Sequence, residues 1–251
     1  MAELEKRILL AIETATSVCS VALLEDGYIV EEKSRLSDRR HNEMLPGMVA
    51  ELLDGNGISL KEISAIAVSI GPGSFTGLRV GLSYAKGLAM AVGAGIITVG
   101  TLEALAYRIS KIIPGLSRDN LIISMTTARK GEAFAGFYKL TQNEIKVVRD
   151  VQVLRAHELL KEISRDTILG GEGAERLLSE SVFSEQSFKR VKLSRVRECA
   201  TDIPMLIEGI QASAVEVGEL AFSGLLQDIG LLYNVDDLEP MYLKEFTIRS
   251  T

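Results

Sequence analysis

The chain has 251 residues, 47% of them hydrophobic, enough for a sizeable core in one globular unit or two small lobes. A net charge of -6 leaves little to gain from the counterion release that drives autonomous nucleic-acid binding, and no apolar run approaches the roughly 20 residues that cross a bilayer. Two distant cysteines, Cys19 and Cys199, and two isolated histidines, His41 and His157, suggest neither a disulfide framework nor a cysteine or histidine metal centre.

Lys6 and Arg7 precede the apolar run Ile8 to Ile12, but Glu13 ends that run too early for a secretory signal, so a cytoplasmic address is expected. Ile8 to Ile12 and Val18 to Leu24 have strand length, and Asp26-Gly27 supplies a positive-φ turn back into Tyr28 to Lys33. A three-strand antiparallel meander follows. Met44, Leu45, Met48, Val49, Leu52 and Leu53 recur at helical spacing over about 41–53, ending near Gly55 and Gly57. A buried-type strand from Ala65 to Ile70, a glycine-rich turn, a helix to about Gly93 and a strand from Ile96 to Val99 make a right-handed β-α-β unit.

The second half repeats this style. Strands are predicted over 121–125, 132–140 and 145–153, a helix over 156–163, a short strand at 168–170 before another helix, and a last helix over about 204–226. Met241-Tyr242-Leu243 reads as a terminal extended piece. Two related α/β lobes are implied, each with strands followed by helices. Lys189, Arg190, Lys192, Arg195 and Arg197 crowd five cations into a short span, read as a solvated face, with contact to RNA or an acidic partner as the alternative.

The stretch SIGPGSFTGLRVG passes from strand through turn to helix, so its backbone N–H groups could hold an anion at a helix N-terminus. It is not a Walker A loop, because Leu78 and Arg79 follow its last glycine. It is not a dinucleotide fingerprint, because Thr76 replaces the third glycine. Ser74 is not on a nucleophile elbow, since Pro72 and Thr76 stand where that motif needs glycines. The plain reading is a tight turn with Ser74 or Thr76 capping the helix; anion or nucleotide contact is the other. Along the helix, Gly77, Gly81, Ala85, Ala89 and Gly93 recur every four residues, a ridge that admits close approach either of this chain's own sheet or of another subunit's helix.

The motifs ILLAIETATSVCSVALLEDG, RRHNEMLPGMVAELL, AIAVSIGPGSFTGLRVGLSYAKGLA, TVGTLEALA, ARKGEAF and EPMYLK, in that order, resemble the TsaB (YeaZ) family. They are dense to about residue 110 and thin beyond it, and the GPGSFTGLR block is the specific part. The resemblance implies an α/β fold of two ribonuclease-H-like lobes, of the acetate kinase, sugar kinase, Hsp70 and actin group. It divides the chain into an N-terminal lobe with interface helices (1–103), a C-terminal lobe (104–204) and a tail (231–251), the last helix (about 205–230) being free to pack back on the first lobe.

In function, it implies a non-catalytic scaffold for TsaD, which transfers a threonylcarbamoyl group from its adenylate to adenosine in tRNAs that read codons starting with A. TsaD binds its metal with an HxxxH pair whose place here is taken by Thr101 and Leu105, neither of them a useful ligand, so no metal is expected. TsaD is implied as partner, docking on the first two helices. The ATPase TsaE would join the pair, tRNA would be reached through the complex, and the chain alone would form a homodimer. No membrane contact is implied, and no cofactor of its own, with ATP or ADP at the complex interface left open.

The expected partner interface comprises His41, Leu45, Met48, Leu52, Thr76, Gly77, Val80, Gly81, Tyr84, Ala85 and Leu88. A tryptophan at Gly81 or Ala85 is accordingly expected to spare the lobes and stop complex formation. Residues expected to contact a nucleotide are Glu13, Thr14, Thr16 and Ser74. Two positions depart from the family: Glu13 stands where aspartate is usual in the first phosphate-type loop, and Thr127 where aspartate precedes Ala-Arg. Thr127 removes an acid from the inter-lobe cleft and weakens the competing reading of a nucleotide-dependent enzyme; a glycoprotease-like peptidase, the other competing reading, needs a nucleophile or metal centre that the sequence does not offer.

Overall fold

Asp26 and Gly27 take φ values of 51° and 85°, so the chain reverses within two residues. This lays β2 (Val18–Glu25) antiparallel between β1 (Ile8–Glu13) and β3 (Tyr28–Leu36). The structure, a computed structural model, describes residues 6–37, 40–116, 119–141, 144–180, 188–198, 204–227 and 238–241. After the meander come α1 (His41–Gly55), β4 (Ile63–Ser69), α2 (Phe75–Val92) and β5 (Gly95–Val99). Both β4 and β5 run parallel to β1, giving a sheet of order β3-β2-β1-β4-β5.

The second lobe repeats that order. After α3 (Thr101–Ile112), the strands β6 (Leu121–Thr127), β7 (Ala133–Thr141) and β8 (Glu144–Leu154) form a meander. Then follow α4 (Ala156–Glu162), β9 (Thr167–Gly170), α5 (Glu172–Ser179), β10 (Lys189–Lys192) and β11 (Met205–Glu208). The sheet order is β10-β11-β9-β6-β7-β8, with β9 and β11 parallel to β6. Meander first, parallel strands added beside its first strand: both lobes are built on this one ribonuclease-H-like plan, and the pairing of related lobes expected from the sequence is present.

Strand parity decides which helix meets which face. Ile8, Leu10 and Ile12 of β1 join a buried cluster with Leu45, Met48 and Leu52 of α1 and Leu82, Ala85 and Ala89 of α2. Leu9 and Ala11 point the other way, onto Ala214, Val217 and Ala221 of α6 (Ala214–Gln227). Being covered on both sides explains why β1 reads as a continuous apolar run. The outer strand β3 is handled differently: the register slips beside Val30, and Glu31, Glu32 and Lys33 follow, a bulge and charges that discourage edge-to-edge pairing.

The helix expected over 204–226 is corrected by the structure. Met205 to Ile207 are fully buried and pair with β9 and β10 as β11, Gly209 turns the chain at φ 79°, and the helix begins only at Ala214. Three consecutive large apolar residues before a glycine fit a central strand of a covered sheet better than an amphipathic helix. The helix nonetheless packs on the first lobe: the Ala214 N–H donates to Ser20 Oγ at 2.9 Å and Ser213 Oγ to Glu32 at 2.5 Å. It meets α3 at the junction of the lobes, where Lys111 pairs with Glu219 and, at 3.5 Å, with Glu216.

The basic run forms edge strand β10 and the turn after it. There Lys189, Arg190 and Lys192 are exposed, and Arg190 pairs with Glu208 at 3.1 Å. Cys199 and the terminal piece from Tyr242 onward, with most of the tail 231–251, lie outside the described residues, whereas the Met241 N–H donates to the Ile70 carbonyl at 2.8 Å.

Candidate functional site

All four residues expected to contact a nucleotide come together where β1 and β4 end. Glu13, Thr14 and Thr16 are buried, and Ser74 is exposed at the start of α2. Each has a partner within the chain. Glu13 Oε1 accepts the Ala15 N–H at 2.5 Å, and the Ala15 carbonyl accepts the Ser74 N–H at 2.7 Å. Thr14 Oγ1 donates to the Gly77 carbonyl at 2.9 Å, and Thr16 Oγ1 accepts the Val18 N–H at 3.3 Å. Ser74 Oγ accepts the Gly77 N–H at 3.2 Å, an N-cap. Replacing Ser74 with alanine should cost about 1 kcal/mol, read as a lower denaturation midpoint at unchanged cooperativity.

The loop Gly71–Gly73 bridges the lobes, with a cis peptide between Gly71 and Pro72. Thr101 at the head of α3 grips it twice: Thr101 Oγ1 accepts the Gly71 N–H at 3.1 Å, and the Thr101 N–H donates to the Gly71 carbonyl at 2.9 Å. Across the cleft, Thr126 Oγ1 at the end of β6 donates to the Pro72 carbonyl at 3.2 Å. Its neighbour Thr127 bonds to Glu172 Oε1 at 3.2 Å. Thr101 and Leu105, expected at the positions of the HxxxH pair, are a loop clamp and a core residue in the structure. Among the described residues no cluster of three or more His, Cys, Asp or Glu side chains that could hold a metal ion occurs.

Glu13 is the unusual group in this cleft. It is wholly buried, and burial pushes its carboxyl up to about 7; the Ala15 N–H pulls it down, and Glu172 across the cleft pushes it further up. Oε2 has no hydrogen-bond partner and neither has Ser69 Oγ. The Ser69 hydroxyl lies near enough to favour the charged form, but not in normal hydrogen-bond geometry. Neither Ser69 nor Thr126 was foreseen from the sequence. Comparing the lobes points to this place, because Thr126-Thr127 ends the first strand of the second lobe as Ile12-Glu13 ends that of the first.

The eleven expected interface residues divide. Leu45, Met48, Leu52, Gly77, Gly81 and Ala85 are buried against the chain's own sheet. His41 is also buried, its Nε2 at 3.1 Å from the Thr16 carbonyl, and burial lowers its pKa. Ser37 Oγ lies 3.1 Å from Nδ1, so a neutral ring with its proton on Nε2 satisfies both neighbours. The small-residue ridge is therefore explained within the chain. A Cβ at Gly77 would collide with the Thr14 carbonyl, and one at Gly81 with the Thr14 hydroxyl. Gly81→Trp, expected to spare the lobes, would instead break the first of them.

What faces outward on α2 is a second stripe. Thr76 is exposed, and Val80, Tyr84 and Leu88 are half-buried; beside them Gly87 and Ala91 are exposed, as is Met90 at 71%. Pro46, Gly47 and Ala50 are exposed on α1, and a Cβ at Gly47 or Gly87 would meet nothing within 4 Å. At the head of α2, exposed Phe75 carries the Arg79 guanidinium 3.8 Å over its ring.

Two lobes of one plan, each a meander extended by parallel strands and covered by helices, with a hydroxyl-lined cleft between them, define a two-lobed α/β protein of the ribonuclease-H-like kind. The profile of the family described as TsaD, tRNA N6-adenosine threonylcarbamoyltransferase, matches residues 33–215. The tRNA threonylcarbamoyladenosine biosynthesis protein TsaB of Escherichia coli K12 is 36% identical over 172 residues, 66% of this chain and 71% of that protein. Its counterpart in Bacillus subtilis 168 is 32% identical over 166 residues, 65% of this chain and 70% of that protein. The solved structure of YeaZ from Pseudomonas aeruginosa superposes with a TM-score of 0.72 at 26% identity, covering 94% of this chain and all of that one. The chain belongs to the TsaB (YeaZ) family, the branch of this wider group to which those proteins belong.

Proposed function

We propose that the chain is a non-catalytic scaffold subunit in the synthesis of threonylcarbamoyladenosine in tRNA, binding TsaD through the outer faces of α1 and α2. The observation that carries this is the outer stripe of α2: exposed Gly87, Met90 and Ala91 adjoin Val80, Tyr84 and Leu88, which are half-buried against the first lobe's core, with Lys86 and Arg79 at the flanks. Gly47 and Ala50 on α1 let a facing helix approach closely. Family membership and the use of Thr101 and Leu105 for packing support the same reading.

TsaE would join the pair and tRNA would be reached through the complex, while the same apolar faces would join two copies of this chain when TsaD is absent. The in-chain partners of Thr14, Thr16 and Ser74 leave ATP or ADP to the complex interface rather than to this cleft.

Gly87→Arg tests the proposal. The position is open, and arginine in a helix interior is about 1 kcal/mol better than glycine, so the monomer should be at least as stable as the parent. Loss of co-purification with TsaD at an unchanged or raised denaturation midpoint is the expected result. A variant that holds TsaD as tightly as the parent removes the outer stripe from the interface.

A further inference from the structure

The Glu13 carboxyl sits at one end of a continuous chain of contacts that crosses the cleft. Oε1 holds the Ala15 N–H, the Ala15 carbonyl holds the Ser74 N–H, and the Pro72 carbonyl two residues before Ser74 accepts from Thr126 of the second lobe. The next residue, Thr127, bonds Glu172, whose charge acts back on Glu13. The free oxygen, Oε2, and the free Ser69 hydroxyl are both at zero exposure. An ionised carboxylate with an unbonded oxygen in such a place, opposite a second carboxylate, is costly unless water reaches it. A protonated carboxyl carries no charge to desolvate and needs no such access.

We propose that Glu13 is a proton-operated latch on the inter-lobe cleft: uncharged, it holds the 14–16 turn, the 71–74 loop and Thr126 together, and on ionising it admits water and loosens that chain of contacts. The groups facing it are few. Strand β4 and residues 71–78 contribute no titratable side chain, and neither does the end of β6. From α5 comes Glu172; from β2 comes Cys19, whose thiol burial pushes up to about 11; and α1 places His41 on the Thr16 carbonyl, at the far end of the turn. The direction of the Glu13 shift agrees with the latch. This inference stands independently of TsaD binding, since it concerns the isolated chain.

The test is amide hydrogen exchange of Ala15 and Ser74 in the full chain, compared at each pH between the parent and Glu13→Gln, so that intrinsic exchange rates cancel. At about pH 4 the two should exchange alike; at about pH 8.5 the parent should exchange roughly tenfold faster or more. A constant ratio across that range overturns the latch. Should Glu13→Gln not fold, the carboxyl carbon of Glu13 is followed by NMR in the parent and in Glu172→Gln. A midpoint near neutrality that falls when Glu172 is replaced supports the latch, and an ordinary carboxylate midpoint overturns it. Repeating the titration in millimolar Mg²⁺ separates a proton from a metal ion: an unchanged midpoint supports the latch, and a large drop assigns the free oxygen to a cation and overturns it.

Discussion

Gly77→Ala should destabilise the chain by about 3 kcal/mol. The new Cβ would be driven into the Thr14 carbonyl oxygen, and backbone cannot swing aside as a side chain can. Relief would require the 14–16 turn to lift off α2, breaking the Thr14 hydroxyl bond to the Gly77 carbonyl and pulling on the Ala15–Ser74 bond. Gly81→Ala meets the Thr14 hydroxyl instead, which can rotate at the loss of its one bond, so a smaller cost of about 1 kcal/mol follows. Gly87→Ala, on the open face of the same helix, should stabilise by up to about 1 kcal/mol. Urea denaturation of the three variants reads all of this at once. Equal costs at 77 and 87 would mean that helix propensity, not the approach of Thr14, decides the sequence of α2.

The same three glycines mark the limit of what the sequence reveals. Periodicity placed α2 and its four-residue ridge, because a repeat of small side chains is visible in one dimension. It could not tell which surface the ridge meets, since Gly77 and Gly81 would look alike facing Thr14 or facing a foreign helix. Thr76, Val80, Tyr84 and Leu88 are within reach of the sequence as an outer face of α2, but Gly87, Met90 and Ala91 beside them carry no periodic signal that separates them from an ordinary solvent face. The first lobe was legible because Asp26-Gly27, Gly93 and the apolar runs punctuate it clearly. In the second lobe, Met205 to Ile207 lay beside a true helix, and a short apolar run joined to a helix pattern extends that pattern falsely until its sheet neighbours β9 and β10 are known. The sequence shows Glu13 only as an acid where the first strand gives way to a loop. Its free oxygen and its closeness to Glu172, some 160 residues away in sequence, are products of folding alone.

Glu13 should also set the pH dependence of global stability. Its carboxyl moves from 4.5 in the unfolded chain to about 7 in the fold, so between those values the folded state binds a proton that the unfolded state lacks. The stabilisation is complete below the unfolded value and is lost as pH rises through the folded one, a total of roughly 3 kcal/mol at about 1.4 kcal/mol per pH unit. Glu13→Gln carries no such proton. It should match the parent near pH 4.5 and exceed it by up to roughly 3 kcal/mol above pH 7, where the parent alone bears a buried charge. Glu103 and Glu216, also raised by burial, and His41, lowered by burial and hence destabilising as pH falls below its ordinary value, shape both curves equally and cancel in the difference. Denaturation midpoints of the two proteins between about pH 4.5 and 8.5 give that difference directly. Parallel curves would place the proton elsewhere, and with it the strain that the buried, half-bonded carboxylate puts on the cleft.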